Sequence, residues 1–72
     1  MSADANPGRR LRRADVLHLA TIAGRLAQRG EREDARTVAA IAIRLSRLTG
    51  ASSALGIAEA VLAEIDKLGS TP

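Results

Sequence analysis

Two stretches of aliphatic residues at helical spacing, separated by a short break, constrain this chain more than anything else in it. Val16, Leu19, Ala20, Ile22, Ala23, Leu26 and Ala27 recur at intervals of three and four. Ala35, Val38, Ala39, Ile41, Ala42, Ile43, Leu45 and Leu48 do the same. Between the two runs stands Arg29-Gly30-Glu31-Arg32. Gly30 suits the left-handed residue just past a helix end, with Arg25 and Arg29 near that helix's negative dipole end. Glu31, Glu33 and Asp34 suit the positive end of a second helix starting around Glu31 or Arg32. At about 100° per residue the apolar arc of each helix spans about 220°, once Leu17 is counted in the first. A helix facing a single neighbour needs only about 100°. Each of these two therefore requires more than one partner surface.

A third helix supplies one such surface. Gly50 closes the second helix, with Arg44 and Arg47 in its closing turns, and Ser52 or Ser53 is placed to cap the next. Ala54, Leu55, Ile57, Ala58, Val61, Leu62, Ile65 and Leu68 make a narrower apolar face of about 160°. Glu59, Glu64, Asp66 and Lys67 lie opposite, and Gly69 stops the helix. The expected architecture is all-α: a small three-helix domain, an αα-hairpin with a packing C-terminal helix, over residues 9–69. A flexible N-terminal tail is expected over 1–8, where Asn6-Pro7-Gly8 signals a turn, and a C-terminal tail over 70–72. The first helix is expected to begin near Arg9.

Seventy-two residues with no Phe, Tyr or Trp leave seventeen Leu, Ile and Val to build a core. A lone monomer of this size is marginal. Apolar arc in excess of what three helices need points to self-association, most simply a homodimer sharing part of the first two helices. The residues at the edges of the arcs, Leu17, Ile22, Ile43 and Leu55, are the expected contacts. The plainer reading is a monomer whose surplus arc is mostly alanine, which tolerates exposure.

The hairpin in "HLATIAGRLAQRGEREDARTVAAIAIRL" resembles a single tetratricopeptide unit. Leu19, Ile22, Ala23 and Leu26 stand at its first-helix core positions, Gly30 at its turn, and Ala35, Ala39 and Ala42 at its second-helix contact positions. Ala39 stands where that repeat prefers a large aromatic and Arg47 where it often has Pro. Ser53 and Gly56 would fall at core positions of a following unit, so the third helix begins no second repeat. The resemblance covers about half the chain, whereas such repeats usually need about three units to form a binding groove. It implies protein–protein interaction rather than catalysis.

Nothing in the residue pattern assembles an enzyme. His18, the only histidine, lies on the polar side of the first helix one turn from Asp15, but no Ser or Cys stands beside the pair as a nucleophile. A metal site would need three or four ligands at set spacing, and no glycine-rich phosphate loop is present. Glu31, Glu33 and Asp34 read as dipole complements. No cofactor is expected. The absence of cysteine excludes disulfides and thiolate metal sites and fits a reducing compartment. No apolar run approaches the roughly 20 residues that cross a bilayer, and no apolar segment follows the N-terminal arginines as in a signal peptide. A cytoplasmic protein without membrane contact is the expectation.

The net charge of +3 is unevenly distributed. Residues 1–30 carry six Arg against Asp4 and Asp15, whereas residues 50–72 carry Glu59, Glu64 and Asp66 against Lys67. Arg9, Arg10, Arg12 and Arg13 form a basic arm, and Arg36, Arg44 and Arg47 fall on one side of the second helix. Arginines so placed can track nucleic-acid phosphates, although only Thr37 on that helix offers base readout and no aromatic is available for stacking. The plainer reading is a solvated face balanced by acidic neighbours. A helix-turn-helix fails because Arg25, Gly30 and Glu33 occupy positions that should be apolar. A ribbon-helix-helix strand would alternate, and Arg9-Arg10-Leu11-Arg12-Arg13 offers one apolar residue. Two functions therefore follow: a small adaptor or regulatory module binding itself or another protein, and alternatively a DNA-binding transcriptional regulator or antitoxin-like protein.

Overall fold

The computed structural model describes residues 11–69, which form α1 (Arg13–Gln28), α2 (Arg32–Thr49) and α3 (Ser52–Gly69), all packed against one another. No strand occurs among the described residues, which leaves a ribbon-helix-helix without its ribbon there. The expected tails, and Arg9 and Arg10, lie outside the described residues. The first helix starts later than its arginine run suggested. Arg12 is extended (φ −106°, ψ 162°), and its backbone N–H donates to the Asp15 carboxylate at 3.0 Å. A carboxylate three residues into a helix anchors the preceding residue in this way, so α1 begins at Arg13.

Both turns are set by glycine. Gly30 has φ +88°; its N–H donates to the Ala27 carbonyl and that of Glu31 to the Leu26 carbonyl, both at 3.0 Å. That is the Schellman closure, which satisfies two of the free carbonyls at the end of α1. Gly50 has φ +74°, and the Ala51 N–H reaches back to the Ser46 carbonyl at 3.0 Å. Neither Ser52 nor Ser53 caps α3. Both lie within its first turn, and the Ala51 carbonyl accepts the first bond, from Leu55 N–H. The tight glycine turn leaves only Gly50 and Ala51 between α2 and α3, so the serines are already helical.

Where the helices meet, the side chains are small. The fully covered apolar residues are Val16, Ala20 and Ala23 on α1, Ala35, Ala39 and Ala42 on α2, and Ala54, Ala58 and Ile65 on α3. Ser46 continues the α2 stripe one turn beyond Ala42, which the apolar pattern did not foresee. It is tolerated because its hydroxyl donates to the Ile43 carbonyl at 2.8 Å, leaving no buried polar atom unpaired. Among the described residues only Val16 and Ile65 are large and fully buried. The other long aliphatics, including Leu19, Val38, Ile43, Leu45, Val61 and Leu62, flank the alanine seam half-covered. The wide arcs read from the sequence thus divide into a narrow buried stripe of small residues and two broader, half-buried shoulders.

A seam of alanines lets helix axes approach to about 8 Å, and a larger side chain there has nowhere to go. Ala39→Leu is expected to destabilise the fold by about 1–3 kcal/mol through overpacking. Gly56→Ala, in an exposed helix interior where an added Cβ meets nothing within 4 Å, is expected to stabilise by about 0.5–1 kcal/mol. Thermal denaturation followed by circular dichroism reads both signs.

Candidate functional site

The three helices leave three outer seams, and cross-helix contacts fix which residues flank each. The Arg13 Nε donates to the Thr49 carbonyl at 3.3 Å, joining the start of α1 to the end of α2. Arg36 pairs with Asp66 Oδ1 at 3.3 Å, joining the start of α2 to the end of α3. With about 100° per residue, the Arg36–Asp66 pair and the groove that Gly24 and Gln28 share with Ile57, Val61 and Glu64 assign each shoulder to a seam. Leu19, Ile22 and Leu26 of α1 and Val38, Ile41, Leu45 and Leu48 of α2 flank the α1–α2 seam. Ile43, Arg36 and Arg47 of α2 flank the α2–α3 seam with Leu55, Leu62 and Asp66. Leu17, Gly24 and Gln28 of α1 and Ile57, Val61 and Glu64 of α3 flank the third.

The α1–α2 seam is the most aliphatic. None of its seven large side chains is fully buried, Ile41 is 38% exposed and Leu48 is 77% exposed. Carboxylates stand only towards its ends, Asp15 and Asp34. The α1–α3 seam holds a groove of about 580 Å³ between Gly24, Ala27 and Gln28 on one side and Ile57, Ala60, Val61 and Glu64 on the other. The α2–α3 seam is closed partly by charge, through Arg36 and Asp66.

The four contact residues expected from the arcs do not form one surface. Leu17 is exposed on the α1–α3 seam, Ile22 is half-buried on the α1–α2 seam, and Ile43 and Leu55 are half-buried on the α2–α3 seam. Ile41 and Leu48, the most exposed aliphatics of α2, were not among them. Position on an arc says how far a residue lies from the core of its own helix. It does not say which neighbour closes over it, and that depends on how the helices are arranged.

The basic residues are also rearranged by folding. Arg12 and Arg13 come to the same end of the bundle as Arg44 and Arg47, because α1 and α2 run antiparallel. Arg13 is no free arm: its side chain lies over the C-terminal carbonyls of α2, where a cation is favoured by the helix dipole. Arg36 lies at the opposite end, engaged with Asp66. Arg29 pairs with Glu31 at 3.8 Å beside the first turn. His18 is exposed, and the Asp15 carboxylate beside it is the acceptor for the Arg12 backbone. Among the described residues no three His, Cys, Asp or Glu side chains converge as metal ligands, and no helix is long and apolar enough to cross a membrane.

No family model matches the chain, and no curated protein or solved structure matches it either.

The Arg13 contact is solvent-exposed, so its contribution is modest. Arg13→Ala is expected to lower stability by about 0.5–1 kcal/mol, and high salt is expected to shrink the difference. Urea unfolding of the two proteins at low and high salt measures it.

Proposed function

We propose that this protein is a small helical interaction module of the adaptor or regulatory kind, working by binding and not by catalysis, whose docking surface is the α1–α2 face. One observation carries the reading: seven large aliphatic side chains line a single two-helix face while alanine fills the interior. Half-covered aliphatics at this density gain about 25 cal/mol for each Å² of apolar surface that a partner covers. The likeness of the hairpin to a tetratricopeptide unit points the same way. The protein would act in the cytoplasm, docked on itself or on another protein.

A tagged chain, incubated with extract of its native host, is expected to retain a protein partner or a second copy of itself. The variant I41D/L48D, altered only at exposed positions, is expected to stay helical and lose that retention. Equal retention by both proteins would remove the α1–α2 face from this role.

A second reading, binding to duplex DNA as a regulator or antitoxin-like protein, draws support from Arg12, Arg13, Arg44 and Arg47, gathered at one end of the bundle where, among the described residues, Asp15 is the one carboxylate. Arg9 and Arg10 precede them in the sequence. Phosphate neutralisation by such a cluster gives affinity that falls steeply with salt. On this reading a gel shift at low salt weakens when Arg12, Arg44 and Arg47 are changed to Ala. Its absence at low salt ends the reading.

A further inference from the structure

We propose that the end of the bundle where α1 starts and α2 closes rests on an anionic lipid bilayer. Leu11 and Leu48 enter the boundary between headgroups and acyl chains, and Arg12, Arg44 and Arg47 lie on lipid phosphates. The site is an end of the molecule and not its α1–α2 face, so the inference goes beyond the docking role proposed above.

Exposed aliphatic surface and positive charge coincide at this end. Leu48 is 77% exposed and Leu11 48%, more than any other large aliphatic among the described residues. The Arg13 side chain, donating to the Thr49 carbonyl, holds the start of α1 against the close of α2 and brings both leucines to one end. Leu48 lies one turn beyond Arg44 on the outward side of α2. Among the described residues at this end, exposed Arg12, Arg13, Arg44 and Arg47 stand against Asp15, a formal +3. The Asp15 carboxylate accepts the Arg12 N–H, and His18 is exposed beside it. The next carboxylate, Glu59, stands about 10 Å along α3 at 1.5 Å per residue. Before Leu11 the sequence adds Arg9 and Arg10 against Asp4. The other described residues carry five basic and six acidic side chains, a formal −1, so the molecule has one positive end.

Area and the leucines choose the partner. The end of a three-helix bundle is about 20 Å across, or roughly 300 Å². Stable protein interfaces bury about 800 Å² on each partner, and single DNA-binding modules about 600–1,000 Å². This end is too small for either, and DNA phosphates would leave both leucines wet. A bilayer demands neither that area nor a complementary shape. It takes up single leucines, and each arginine near its anionic surface strengthens binding about fivefold. Acidic lipids are concentrated on the cytoplasmic leaflet, which matches the compartment proposed above. Surface contact needs no helix long enough to cross. It departs from the absence of membrane contact expected from the sequence, which rested on crossing and targeting segments alone.

Co-sedimentation of the full chain with vesicles tests this. Binding is expected to phosphatidylcholine vesicles containing about one-third phosphatidylserine, not to phosphatidylcholine alone, and it should fall with salt. L11S/L48S is expected to weaken binding by about tenfold for each leucine. R44A/R47A is expected to weaken it about 25-fold in all. R25A/R32A, at the opposite end, and I41D, on the α1–α2 face, are expected to bind like the parent. Circular dichroism checks that each variant stays helical. No binding to the anionic vesicles at low salt would overturn the inference. So would equal losses in R44A/R47A and R25A/R32A, which report net charge alone, or loss in I41D, which moves the contact to the α1–α2 face. A gel shift on duplex DNA that L11S/L48S leaves unchanged, without vesicle binding, would assign the arginines to nucleic acid instead.

Discussion

Alanine at the centre of three packed helices is the constraint from which the rest of this structure follows. Ala20 and Ala23, Ala39 and Ala42, and Ala54 and Ala58 let the helices come close, and close helices leave little interior volume for side chains longer than those of Val16 and Ile65. Leu, Ile and Val are therefore displaced to the shoulders, where they cover the seam from outside and remain half-wet. A bundle with a wider core would have taken those side chains inward and presented a polar exterior. Here the interior is satisfied with methyl groups, and the aliphatic surplus becomes surface.

That surplus is not spread evenly. Three seams share the shoulders, and each is closed by a different chemistry. The α2–α3 seam is bridged by Arg36 and Asp66, and the α1–α3 seam holds a groove over Gly24 and Ala27. The α1–α2 seam has only aliphatics between its charged ends, and it is the one that profits most from a partner. Antiparallel packing brings Arg12 and Asp15, at the start of α1, to the end of α2, and sets the Arg29–Glu31 pair beside Asp34 at the opposite end.

Local devices carry the economy of the turns. Gly30 and Gly50, both left-handed, end their helices with bonds back to carbonyls that would otherwise be free. Asp15 sets the first residue of α1 through the Arg12 N–H, and Arg13 then reaches across to the last turn of α2. An arginine run that reads as a solvated arm thus has one member tied to the fold.

Helix number, helix order and both glycine turns were legible in the sequence, because they depend on spacing and on left-handed backbone that glycine alone adopts without strain. So was the excess of aliphatic arc, since periodicity counts apolar residues wherever they finally lie. The sequence did not determine which part of each arc is buried, nor which residues form a common face. Ile22 and Ile41 flank one seam while Leu17 and Ile43 flank two others, and Ser46 is interior while Leu48 is bare. Those assignments belong to the packing, because a helix position records only an angle about its own axis. Which neighbour that angle meets is decided by the direction and hand with which the three helices pack.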